Sequence, residues 1–287
     1  QSTRCSRAWA GAATAMAAYT SPKLQVTYSG TTTRIIASSA VGDDATARAS
    51  IVIPAGTTIT APAAPGTKVG TVQAQVSALA LGGALLPLAG DIVVPAPGQI
   101  PAASQAACTQ GVTPVATLLL VMSAAGQTIP LPAYILPTSG ATAALGSNTL
   151  TFCLPPPDIA VDKGGATFGA KFLSADMTLN GVFSSVTQGA WIGFWTPWQA
   201  GNGQINAAGT VASPAVIAAG TVTLSGRKVA GRKTLTGKVS QGGVGFLNRV
   251  QIWGAVGKAA FRPLKVVNSK QNGSFSLVLA KTAKQTS

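Results

Sequence analysis

Short stretches in which apolar and polar residues alternate recur along most of this chain, and they predict β-strands. The clearest is residues 71–80 (TVQAQVSALA), where every second side chain is apolar. A period of two is typical of an antiparallel strand with one buried and one solvated face. Gly/Pro-rich stretches such as residues 95–98 and 155–157 separate the strands. Further strands are predicted at residues 24–28, 33–38, 50–53, 57–60, 91–94, 116–122, 128–136 and 149–154.

Residues 166–184 show the same alternation with one change of phase. The apolar positions are even-numbered up to Phe172 and odd-numbered from Ala175 onwards. We therefore predict a β-bulge near Phe172 and Leu173. Asn180 followed by Gly181 predicts a tight hairpin turn. No convincing helical repeat follows the Ala-rich residues 8–19, which are expected to form a short helix or an extended arm.

Basic residues are unevenly distributed, and this divides the chain. The formal net charge is +14, and residues 225–287 hold twelve of the twenty Lys and Arg residues and no acidic residue. Such a step in composition predicts a domain boundary near residues 222–228. We therefore predict an all-β protein of tandem antiparallel β-sandwich domains, Ig-like or jelly-roll-like, with a short Ala-rich N-terminal arm or helix. The predicted parts are the arm (1–22), a main sandwich region of one or two units (23–224) and a basic Ig-like sandwich (225–287).

The composition argues against catalysis. Hydrophobic residues make up 47% of the chain and charged residues 9%, and the chain has no histidine and no glutamate. Most general acid–base catalysis uses histidine or a tuned carboxylate. We therefore expect no enzymatic activity and no cofactor. The alternative is an unusual hydrolase that uses Asp158 and Asp162, or a Ser–Lys pair.

Three cysteines suggest one disulfide. Cys108 and Cys153 both border strand-like segments in the middle of the chain, so a bridge between them is the first choice. A bridge from Cys5 to either of them is the rival pairing, and three unpaired thiols are the remaining alternative. None of the three belongs to a C-x-x-C pair, so no metal or redox motif is predicted.

The one aromatic cluster contains Trp191, Trp195 and Trp198. On an exposed β-surface these indoles would form a platform for sugar rings. The competing interpretation places Trp191 and Trp195 in a core or a subunit interface, because each indole buries a large area.

A second set of candidate residues is basic: Arg227, Lys228, Arg232 and Lys233. Such a surface attracts a polyanion, such as a cell-wall polymer, or a less basic subunit surface. The alternative is a solvated face that keeps the protein soluble. Nucleic acid is not expected, because the segment has few aromatic residues and no nucleic-acid motif.

The sequence from residue 235 carries a family resemblance. It reads LTGKVSQGGVGFLNRVQIWGA, and residues 261–281 read FRPLKVVNSKQNGSFSLVLAK. This is similar to the small Ig-like, carboxypeptidase-regulatory or transthyretin-like sandwich modules of bacterial surface proteins. Residues 236–239 match the first strand, 250–253 a central strand and 272–277 the "D/N-G-x-F" hairpin. The resemblance implies a spacer or assembly unit without an active site, although the strong basic charge departs from that pattern.

The rest of the chain resembles secreted proteins of high-GC Gram-positive bacteria. The chain begins at Gln1, which we interpret as a mature chain whose signal peptide has been removed, and no apolar run reaches the ~18–20 residues of a membrane span. We expect an extracellular, cell-surface structural protein whose partners are copies of itself, in a filament, sheath or surface layer. The alternative is an adhesin that binds a glycan or polyanion.

Overall fold

The computed structural model describes residues 19–279 except 21, 63, 187–188, 214–215, 218–220, 230–231, 242–243, 246–248 and 255–261. Most of this part is antiparallel β-structure, as the alternating pattern predicts. The arm predicted at residues 1–22 falls largely outside the described residues, and so does Cys5. No helix in the described part has both the length and the apolar character needed to cross a bilayer.

Residues 23–217 contain fourteen of the described strands. Twelve belong to one antiparallel sheet in the order β1-β2-β10-β5-β6-β7-β8-β9-β3-β12-β13, with β14 paired to the other end of β12, and β4 pairs with β11. Their bounds are β1 Lys23–Ser29, β2 Thr32–Ser38, β3 Thr46–Ile53, β4 Thr58–Ile59, β5 Lys68–Ala78, β6 Ala84–Val93, β7 Ala116–Ala124, β8 Gln127–Pro137, β9 Asn148–Cys153, β10 Ala170–Asn180, β11 Phe183–Ser185, β12 Ala190–Pro197, β13 Val211–Ala212 and β14 Val216–Ile217.

The large sheet curls until its two ends approach each other. Strand β1 lies beside β12 and β14, and the Tyr28 hydroxyl donates a hydrogen bond to the Ser184 carbonyl (3.2 Å). Because side chains alternate along every strand, one face of the sheet points into the curl and the other points outwards. The inward positions are apolar almost throughout and form one continuous core, for example Ile35, Met177 and Val72 on three neighbouring strands.

A short helix packs on the outer face of the curled sheet. Helix α1 (Ala102–Thr109) follows Pro101, and the chain leaves it through Gln110 in the left-handed conformation (φ 55°). A disulfide joins Cys108 in this helix to Cys153 at the end of β9, with 5.7 Å between the Cα atoms. This is the pair that the sequence favours. The absence of helices predicted after Tyr19 is wrong here, because α1 has no amphipathic repeat long enough to be seen in the sequence.

The phase change in residues 166–184 corresponds to a real bulge. In the pairing of β10 with β5, the register shifts between Phe172 and Ser174, so the predicted β-bulge is confirmed. The predicted hairpin at Asn180 and Gly181 is wrong in part. Gly181 has the positive φ (67°) of a tight turn, but β11 pairs with β4 rather than with β10.

The C-terminal part has its own sheets and its own core. One sheet holds four strands and the other holds two, and side chains from both meet in a separate cluster around Val239, Ile252, Phe275 and Leu277. The bounds are β15 Thr221–Val229, β16 Arg232–Gln241, β17 Val244–Gly245, β18 Arg249–Gly254, β19 Arg262–Asn268 and β20 Ser274–Val278. The first sheet is formed by β15, β16, β17 and β20, and the second by β18 and β19.

The all-β class is therefore established for the described residues, but the predicted tandem of sandwiches is not confirmed. Twelve of the fourteen described strands in residues 23–217 form one curled sheet, and the other two, β4 and β11, pair with each other. We refer to residues 221–279 as the C-terminal module. Its Asn272-Gly273 turn has φ 79° at the glycine and leads into β20, which pairs with β16 rather than with the preceding β19.

Candidate functional sites

The tryptophan cluster lies mainly in the core of the curled sheet. Trp191 and Trp195 on β12 are both 0% exposed, and the ring of Trp191 meets Phe183 edge to face, with centroids 5.8 Å apart. Trp198 is partly buried, and its indole N–H donates to the Leu154 carbonyl (3.2 Å). The sugar-binding platform predicted as one possibility is therefore not formed, because Trp191 and Trp195 point inwards on alternate positions of a strand.

A glycine makes room for one of these indoles. A Cβ atom at Gly193 would lie only 2.1 Å from the ring carbon Cζ3 of Trp195. The Gly193 backbone also exchanges hydrogen bonds with Ser213, whose N–H donates to the Gly193 carbonyl (2.8 Å) and whose hydroxyl accepts from the Gly193 N–H (3.0 Å). The missing side chain of Gly193 thus leaves room for the Trp195 ring close to its own strand.

The four basic candidate residues come together at one end of the C-terminal module. The register of β15 and β16 places Lys228 opposite Lys233 and Arg227 opposite Thr234, and Arg232 follows as the partner of Val229. The Lys233 side chain is exposed, whereas those of the other three lie outside the described part. The register therefore brings these four basic positions together at one end of two paired strands.

Strand β15 forms an open edge of the same module. In the described residues its hydrogen-bonded neighbour is β16, so its other side has no paired strand. Leu224 lies opposite Gly237, which in turn lies opposite the buried Phe275, so Leu224 faces the core side of the sheet. It is nevertheless 54% exposed. The core face of the module is therefore left uncovered at β15.

An apolar cavity of about 200 Å³ lies inside the curled sheet. It exists because three neighbouring strands carry alanine at the same level. Ala175 on β10 lies opposite Ala37 on β2 on one side and Ala74 on β5 on the other, and all three line the cavity. Larger inward side chains at these positions would fill the space. We call these three residues the alanine row.

The cavity has a floor, a cover and a mouth. Its floor includes the fully buried Val72 and Leu120. The connection between β9 and β10, residues 154–169, covers one end and contributes Ala166 and Thr167 to the lining. Backbone hydrogen bonds within this cover, such as Ala166 N–H to the Pro156 carbonyl (2.9 Å), hold its own conformation. The exposed lining residues Pro130 and Pro155 mark the mouth.

A buried carboxylate stabilises the connection between β2 and β3 through hydrogen bonds. Asp43 is 2% exposed and accepts hydrogen bonds from Thr20 N–H (2.8 Å), the Thr20 hydroxyl (2.6 Å) and Ala40 N–H (2.8 Å). Lys171 donates to the backbone carbonyls of Val41 (2.8 Å) and Asp43. Burial raises the pKa of Asp43, but the hydrogen bonds and the nearby Lys171 outweigh it, so the pKa lies below the ordinary value of 3.8. Burial also lowers the pKa of Lys171.

The two aspartates of the hydrolase alternative are exposed, and Asp158 accepts a hydrogen bond from Gly201 N–H. Within the described residues, no group of three or more Cys, Asp, Glu or His side chains is placed to hold a metal ion. Comparison of the chain with family models, curated proteins and solved structures finds no match.

The alanine row and the open edge are the features that sequence reasoning missed. Small residues at inward positions of predicted strands are visible in the sequence, and Ala74 lies in the clearest strand of the chain. However, the cavity arises only when Ala37 and Ala175 come level with Ala74, and that register depends on pairings across more than a hundred residues. Local alternation carries no information on such pairings.

Proposed function

We propose that this chain is an extracellular structural protein whose copies assemble into a filament, sheath or surface layer, without catalysis. The observation that carries the proposal is the open edge of β15. A strand with unpaired N–H and C=O groups is a template for pairing with another chain. Natural proteins usually protect such edges with charged residues. In β15 the charged residues are confined to Arg227 and Lys228 at its end, and residues 221–226 (TVTLSG) carry none.

Charge supports a head-to-tail arrangement of these copies. The region from residue 225 carries only positive charge, whereas the rest of the chain has eight basic and six acidic residues. Two C-terminal modules would therefore repel each other, and each is better matched to the nearly neutral curled sheet of the next copy. Contacts between different surfaces that do not close into a ring build filaments.

The finer fold assignment belongs to this proposal. Two sheets around a shared core at Val239, Ile252, Phe275 and Leu277 support an Ig-like sandwich in the C-terminal module. Modules of that kind serve as spacers and assembly units, which is consistent with a structural role. A cell-surface location is part of the same proposal.

Electron microscopy and light scattering of the purified protein at moderate salt test assembly. We expect filaments or large oligomers for the natural chain and monomers for Leu224→Lys, which places a charge on the uncovered core face of β15. Val278→Lys is the matched control, because Val278 is 52% exposed on β20 of the same module and the variant adds the same charge away from β15, so it should assemble normally. A natural chain that stays monomeric at high concentration would contradict the proposal.

Polyanion binding is the second candidate, and the paired basic residues at the end of β15 and β16 favour it. Lys228 lies opposite Lys233 in the strand register, and this concentration of basic positions favours a polyanion. Binding of a wall-type polyphosphate polymer should weaken steeply with salt. Replacing Lys233 with Glu should weaken it, whereas replacing Lys68 on the curled sheet, which pairs with Asp91 (2.7 Å), should not.

A further inference from the structure

The cavity is larger than the voids that protein cores ordinarily contain. Natural interiors are close-packed and have few voids bigger than one water molecule. An engineered cavity of about 150 Å³ stays dry and takes up benzene. The cavity in the curled sheet, at about 200 Å³, has space for a somewhat larger molecule. Its lining atoms lack packing partners that an occupant of the right shape would supply.

The lining selects the chemistry of the occupant. Among the described residues that line the cavity, none has a charged side chain, and the Thr167 hydroxyl is the one side-chain oxygen. A trapped water needs two to four polar partners, so this space suits water poorly. Phe152 and Phe172 offer ring faces or edges, and Met122 and Met177 offer sulfur atoms that contact aromatic rings favourably.

We propose that the curled sheet binds one small, uncharged aromatic or alicyclic molecule between the alanine row and residues 154–167. The molecule enters at Pro130 and Pro155, and its ring packs against the small side chains of the alanine row. Thr167, which belongs to the cover, can accept or donate one hydrogen bond to a hydroxyl or carbonyl on the molecule. A charged molecule is excluded, because no group in the lining compensates its loss of hydration.

This site is independent of the proposed assembly. The alanine row lies in the curled sheet, whereas the open edge belongs to the C-terminal module. Loss of ligand binding and loss of assembly are therefore measured on different variants. The ligand experiment is carried out on Leu224→Lys as well, so that assembly does not influence the unfolding transition.

The probe is p-xylene, added to the full chain up to its aqueous solubility, with the unfolding temperature as the readout. If the free probe reaches about four times its Kd, Tm should rise by about 2–4 °C. Ala175→Leu fills the alanine row and should abolish that rise. Ala89→Leu is the matched control, because Ala89 is exposed on the outer face of β6, and it should respond as the natural chain does.

Two results would overturn the proposal. One is a natural chain whose Tm does not change with p-xylene, and the other is an equal rise in Ala175→Leu and in the natural chain. Should Ala175→Leu fail to fold, Ala74→Val removes part of the same space with a smaller side chain and is expected to reduce the rise. Benzenesulfonate, a charged ring of similar size, should leave Tm unchanged, and a rise with it would contradict the apolar assignment.

Discussion

The disulfide between Cys108 and Cys153 gives a stability change that can be worked out from the structure. The bridge joins residues separated by 45 positions, so breaking it releases a long loop in the unfolded chain. The closure entropy of a loop of that length corresponds to about 4 kcal/mol at 25 °C. We expect the double variant Cys108→Ala, Cys153→Ala to lose about that much free energy of unfolding, or about 8–16 °C in Tm.

Urea denaturation followed by tryptophan fluorescence measures this loss directly. Reductant should destabilise the natural chain by a similar amount and should leave the double variant unchanged. Cys5→Ala is the control, because it removes the third cysteine and keeps the bridge, so it should unfold like the natural chain. A loss below about 1 kcal/mol in the double variant would refute the loop-closure argument. A large loss in Cys5→Ala would show that Cys5 takes part in the bridge.

Three further predictions concern the core and one buried carboxylate. Trp195→Ala should lower the free energy of unfolding by about 3–5 kcal/mol. Trp195→Phe should lower it less, because the indole N–H has no hydrogen-bond acceptor in the described structure and its removal breaks no hydrogen bond. Equal losses for the two variants in urea denaturation would contradict this. Gly193→Ala should lower the free energy of unfolding by about 1–3 kcal/mol and shift the tryptophan emission, because the new Cβ would collide with the Trp195 ring. Gly42→Ala is the control and should leave the stability unchanged, because its Cβ would meet no atom within 4 Å. Asp43 has a lowered pKa, so its carboxylate stabilises the fold fully above about pH 5, and that stabilisation is lost as the pH falls through the folded-state pKa. Asp43→Asn should be less stable than the natural chain at neutral pH, and it should lose less stability between about pH 5 and pH 2. If the stability of the two proteins falls in parallel with pH, the stabilising role of the Asp43 carboxylate is refuted.

The strands and their faces followed from local sequence, whereas their arrangement did not. The alternation in residues 71–80 predicted which side chains of β5 point inwards, and the phase change after Phe172 predicted the bulge. The sheet order depends on pairs such as Ile35 with Met177, which leave no trace in local alternation. One curled sheet and two sandwiches are built from the same pattern of apolar and polar positions, so the sequence did not distinguish them.

The candidate sites were predicted less well than the strands, and the reason is again long-range. An indole at an alternating position is equally compatible with a sugar platform and with a core, and only the curl decides that Trp195 is inside. Helix α1 lacks an amphipathic repeat, and what fixes it is a covalent bond to β9. The composition of the sequence predicted a basic cluster, but only the strand register shows that Lys228 and Lys233 lie opposite each other.

The order of strands in the curled sheet also determines when the sheet can be completed during synthesis. Strand β3 lies between β9 and β12, and its residue Ala49 pairs with Phe152 and Trp195. At a synthesis rate of about 5–20 residues per second, roughly 7–30 s separate the appearance of Ala49 from that of Trp195. During that interval β1 can pair with β2, but β3 waits first for β9 and then for β12. The backbone groups of β3 therefore stay exposed on at least one side, and the sheet closes only when β12 has been made.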